Sequence, residues 1–96
     1  MIDAKEIFDD LEQHDFLKFD KIENPPSGRP DICAFLLLDK LVPGKSDIVA
    51  GAEHDVIFLD VTLAELEVVA TKEDIIYLSR CGVFASDEYD GLCMFV

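Results

Sequence analysis

Two helix-start signals follow one another closely near the C-terminus, and they constrain the fold more than any other feature. Thr62 stands three residues before Glu65, and Thr71 three before Asp74. In each pair the threonine hydroxyl can accept from the backbone N–H three residues on, while the acid reaches back to the threonine N–H. The second box begins where the first helix must end, so the region can hold only two short helices. The first runs to about Ala70 with Leu63, Leu66, Val69 and Ala70 inward, and the second puts Ile75, Ile76, Leu78 and Cys81 on its apolar side. Gly82 is placed for a left-handed C-terminal stop. Val83–Tyr89, Asp90-Gly91 and Leu92–Val96 then read as a hairpin with a two-residue turn.

The N-terminal half is less regular. Asp3 with Glu6 marks a helix start, and Ile7, Phe8 and Leu11 make an apolar stripe over residues 3–14, with Asp9, Asp10, Glu12 and Asp15 turned toward water. Alternation in Leu17–Ile22 predicts a strand. Glu23–Asp31, with three prolines and a glycine, predicts a loop. The apolar run Ile32–Leu38 lies between that loop and Pro43-Gly44, which favours a central strand; a helix capped by Asp31 is the alternative. Residues 39–54 read as an irregular connection with a short strand at Asp47–Ala50, and Val56–Val61 is the clearest strand. The expected architecture is α+β: a mostly antiparallel sheet of about four or five strands, covered by an N-terminal helix and a C-terminal helix pair and ending in a hairpin. Its core should contain Ile7, Leu11, Phe19, Phe35, Leu37, Ile57, Leu59, Leu66, Ile75 and Leu78.

Composition bounds the function. The chain has 96 residues, one domain by length, with 21 acids against 8 bases and a formal charge of −13, yet it is 50% apolar. A disordered acidic tail is apolar-poor, so this is a core-forming domain with a negative surface. Such a surface disfavours direct contact with nucleic acid or anionic lipid. The charge is uneven: residues 1–48 hold eleven acids and six bases, residues 49–96 ten acids and two bases, and no base lies between Lys45 and Lys72. The absence of a long apolar run predicts no membrane span. A polar, acidic start and three cysteines (Cys33, Cys81, Cys93) in apolar surroundings predict a cytoplasmic protein with buried free thiols.

Catalytic patterns are weak. Gly44-Lys45-Ser46 and Val56–Asp60 evoke a phosphate-binding loop and a magnesium aspartate, but Asp39 occupies the position that needs a glycine, and too little chain follows Ser46 to build the required helix. Glu53, His54, Asp55 and Asp60 are the residue types of a metal-dependent enzyme or ligand binder, without a motif spacing; His14 beside Asp15 adds none, and Cys33, Cys81, Cys93 and His54 are chemically able to bind zinc. No nucleophile can be tied to a base. The expectation is a protein without enzymatic activity, metal or cofactor.

In its order of elements the C-terminal part resembles a winged helix-turn-helix, with Thr71–Arg80 as recognition helix and Val83–Val96 as wing. Lys72-Glu73-Asp74 opening that helix and Asp87, Glu88 and Asp90 at the wing tip exclude DNA reading, so such an arrangement implies an acidic adaptor meeting another protein. The favoured reading is a protein-binding module that inhibits or regulates a basic, nucleic-acid-handling partner, with carboxylates standing in for phosphates. Its contact residues would be Asp55, Glu65, Glu67, Glu73, Asp74, Asp87, Glu88 and Asp90, with Tyr89 as an aromatic anchor. Small acidic single-domain chains of this kind resemble phage-encoded inhibitors in type. The strand Leu92–Val96, read as a sheet edge, leaves a homodimer open.

Overall fold

A computed structural model describes residues 3–11, 16–44, 47–86 and 91–95. Its elements are α1 (Ala4–Leu11), a single 3-10 turn (Phe19–Lys21), α2 (Pro30–Leu41), β1 (Val49–Glu53), β2 (Val56–Leu59), α3 (Leu63–Val69), α4 (Lys72–Arg80), β3 (Val83–Ala85) and β4 (Leu92–Phe95). The strands form one antiparallel sheet in the order β1-β2-β4-β3. The α+β architecture, with an N-terminal helix, a C-terminal helix pair and a terminal hairpin, is as the sequence predicts.

The capped helices form as their signals require. Thr62 and Thr71 each accept from the backbone N–H of Glu65 and Asp74, and both acids bond back to the threonine N–H. Asp3 Oδ1 accepts from the Glu6 N–H at 3.1 Å and opens α1. Gly82, at φ +99°, ends α4 with its N–H on the Ser79 carbonyl. The backbone angle calls for glycine; a Cβ there would also meet Leu17 Cδ2 at 2.7 Å, the movable end of an exposed side chain.

Two predicted strands are not strands. Leu17 lies at φ +60°, and the segment after it closes on itself, with the Ile22 N–H on the Phe19 carbonyl. Phe19 and Ile22 are the residues packed against the core, while Leu17 is exposed. Their spacing of three follows the 3-10 turn, whereas a strand would have repeated every two. Ile32–Leu38 lies within α2, the helical alternative. Its N-cap is Arg29 rather than Asp31: Pro30 takes the first turn, and Arg29 keeps the extended backbone that a following proline imposes. Cys33, Ala34 and Leu38 are buried, but Ile32 and Leu36 are exposed. An unbroken apolar run had hidden this two-sided pattern.

Register corrects two further expectations. Ala85 pairs with Leu92, whereas a two-residue turn at Asp90-Gly91 would pair residue 89 with Leu92, so the turn is not at Asp90-Gly91; residues 87–90 lie outside the described residues. A two-residue turn does occur at His54-Asp55, because Glu53 pairs with Val56, and His54 has φ +56°. The terminal strand is not a sheet edge either: β4 lies between β2 and β3, its backbone groups used on both sides, so a dimer through that strand is ruled out. The tip of the predicted wing, at Asp87, Glu88 and Asp90, lies outside the described residues.

The core gathers Phe8 and Leu11 of α1, Leu38 of α2, Leu59 of β2, Leu66 of α3, Ile75 and Leu78 of α4, and Val83, Leu92 and Met94 of the sheet. All ten predicted core residues are buried or packed against it. Val69 is the exception on α3: it is exposed, and Ala70 takes the inward place. Among the described residues no helix is long and apolar enough to cross a membrane.

Candidate interaction surface

The fold uses several of the predicted contact carboxylates itself. Glu65 and Asp74 complete the capping boxes. Glu67 Oε2 accepts from the Ala4 backbone N–H at 2.9 Å, tying the start of α1 to α3 across most of the chain. That donor is one of the orphan N–H groups at a helix start, where a carboxylate is also favoured by the helix dipole. Glu67→Ala, which removes the acceptor, is expected to cost about 1–2 kcal/mol of stability, read as a lowered urea midpoint at unchanged m-value. A variant as stable as the parent would show that the bond contributes nothing and return Glu67 to the set of surface charges.

Glu73, in the first turn of α4, and Asp55, in the β1–β2 turn, are exposed. Asp87, Glu88, Tyr89 and Asp90 lie outside the described residues, as do His14 and Asp15. The described members of the predicted set therefore stand at two places, on the α3–α4 layer and at the hairpin turn. Exposed carboxylates continue elsewhere, at Glu6, Asp10, Asp20, Glu23, Asp39, Asp47, Glu53 and Asp60. Lys5–Asp9 at 2.9 Å and Arg29–Asp31 at 3.1 Å are ion pairs at the surface.

The metal constellation is not assembled. Glu53, His54 and Asp55 share the β1–β2 turn, with His54 Nε2 3.9 Å from Glu53 Oε1, but Asp60 follows the far end of β2. At about 3.3 Å per strand residue, Asp55 and Asp60 are roughly 16 Å apart. Among the described residues no three His, Cys, Asp or Glu side chains are gathered where they could hold an ion.

The three cysteines are buried and free, as expected. Cys33 Sγ donates to the Ser27 carbonyl at 3.3 Å. Burial pushes the Cys81 thiol up to about 12, with Cys33 nearby adding to the effect. Tyr77 is likewise raised to about 12, by burial and then by its hydrogen bond with Cys33. Cys93 is raised by burial, partly offset by a hydrogen bond with Ser86. Raised thiols are the opposite of what a nucleophile needs.

Sequence reasoning missed the second face of the sheet. Leu92, Met94, Ile57, Leu59, Val83 and Ala85 belong to or pack against the core. By alternation Phe84, Cys93, Phe95, Phe58 and Val56 lie on the opposite face. Cys93 is accordingly buried without joining the main core. Phe84 and Phe95 stack at 4.9 Å, and Phe16 meets both edge-on at 6.0 and 6.3 Å. At one end of this face lies a hollow of about 260 Å³, lined by Glu53, His54, Asp55, Val56, Phe58, Phe84, Ser86 and Cys93. A larger cleft of about 530 Å³ opens between α2 and the sheet, where Phe35, Val49, Ile57 and Met94 meet Arg29 and Asp31. Val56–Leu59 is apolar at every position, which is what a strand covered on both faces requires, but only the register between strands unites the residues of the second face.

No protein-family model, curated protein or solved structure matches the chain.

Proposed function

We propose that the chain is a non-enzymatic protein-binding module that recognises a basic partner, of the class that handles nucleic acid, and regulates it by occupying its cationic surface. The observation that carries this reading is the imbalance at the surface. A formal charge of −13, from 21 acids against 8 bases, is carried by one small domain, and exposed carboxylates stand on many of its elements, among them Glu6, Asp20, Asp39, Glu53 and Glu73. Such a field costs the compact state self-repulsion, and a cationic partner relieves it. It also steers association and releases counterions from the pair, as a phosphate backbone would. The unpaired buried thiols fit a reducing compartment, and the reading places the protein in the cytoplasm. Its regulatory character follows the type of small acidic inhibitors encoded by phage.

The test is capture of host proteins on the immobilised chain at about 50 and about 500 mM NaCl, followed by mass spectrometry and competition with duplex DNA. The retained protein is expected to be basic, to leave the chain at the higher salt, and to be displaced by DNA. Retention that is equal at both salts, or a partner without a cationic surface, overturns the proposal.

A further inference from the structure

The hollow on the outer sheet face gives that reading a specific contact, and the inference rests on it. We infer that the hollow lined by Glu53, Asp55, Val56, Phe58 and Phe84 receives an arginine side chain of the basic partner. Three observations converge. Glu53 ends β1 and Asp55 is the second residue of the turn that follows; both line the hollow and both are exposed, which sets their carboxylates at its mouth. The lining behind them is apolar and aromatic, from Val56, Phe58 and Phe84, on strands held in register through β4. The volume, about 260 Å³, lies below the roughly 300–1,000 Å³ of sites for drug-sized ligands and suits one long side chain.

The chemistry selects arginine. A guanidinium is planar, is more weakly hydrated than an ammonium, forks onto carboxylates and packs against aromatic rings; lysine offers only a point charge. An anionic ligand is excluded by the two carboxylates. A second copy of this chain brings another −13, so charge complementarity names a cationic partner.

The probes are acetylated, amidated hexa-arginine, hexalysine and hexacitrulline peptides, titrated at low salt while backbone amide and aromatic ring NMR signals are followed. Hexa-arginine is expected to shift residues 53–56 and the Phe58 and Phe84 rings saturably, and to bind at least threefold tighter than hexalysine. Hexacitrulline is expected not to bind. The surface variant E53Q/D55N should weaken hexa-arginine about tenfold, and Phe84→Leu about threefold, each with an unchanged circular dichroism spectrum. If Phe84→Leu does not fold, E53Q/D55N and the peptide comparison decide alone. Shifts confined to acids elsewhere, equal binding of hexalysine, or an unaffected E53Q/D55N variant overturn the arginine site while leaving a basic partner in place. No binding of either cationic peptide overturns both.

Discussion

Raising the pH from 7 to 11 is expected to lower the folding free energy by about 3 kcal/mol through Cys81 alone. In the unfolded chain its thiol ionises near 9.0; in the fold, burial pushes it to about 12. Between those values the unfolded state has released its proton and the folded state has not. The folded state then binds more protons, and stability falls as pH rises through this window. Below pH 9 the thiol is protonated in both states and contributes no pH dependence. At about 1.4 kcal/mol per unit, two units above the unfolded pKa correspond to the figure given. Tyr77 acts in the same direction between 10.0 and about 12. Against a typical total of roughly 5–15 kcal/mol, this is a large share. Urea denaturation in the presence of a reductant at pH 7, 9 and 11 measures it. Cys81→Ala should remove most of the loss between pH 9 and 11; an unchanged slope in that variant would assign the alkaline loss to groups other than this thiol.

Leu78→Ala is expected to cost about 2–5 kcal/mol and to lower the melting temperature by about 10 °C or more. Leu78 is fully buried on α4, the helix that packs against α1, α2 and β3, so its removal opens a cavity where three elements meet. Leu36→Ala on the exposed side of α2 is the contrast: the residue is 51% exposed, and its truncation should change stability by less than about 0.5 kcal/mol. A thermal melt of both variants tests the pair. Equal shifts would contradict the inward and outward faces assigned to these helices.

How much of this was legible in the chain depends on the range of the interaction. The helix starts at Thr62 and Thr71 and the stop at Gly82 were legible because each rests on hydrogen bonds between residues three positions apart. The strand at Val56–Leu59 was legible because β-branched and aromatic residues fit a pleated surface. Ile32–Leu38 was not, since a run apolar at every position carries no period. In Leu17–Ile22 the alternation was real, but Leu17 takes a left-handed backbone angle and the segment bonds to its own carbonyls instead of to a strand.

The candidate site divides in the same way. Its acidic character is a property of composition, and the exposure of Asp55 and Glu73 follows from their places at a turn and a helix start. Glu67 looked like another surface charge because its partner, the Ala4 N–H, comes from the other end of the chain. The aromatic hollow needed the ladder pairings Glu53 with Val56, Phe58 with Cys93, and Phe84 with Cys93 before its residues met.

The chain alone determined the negative surface, the capped helices, the free buried thiols and most of the core, all of which follow from residue type and near neighbours. Tertiary structure decided the strand order, the helical state of α2, which carboxylates serve the fold and which stay exposed, and the aromatic second face. Those depend on pairings between distant segments, which no local pattern of residues encodes.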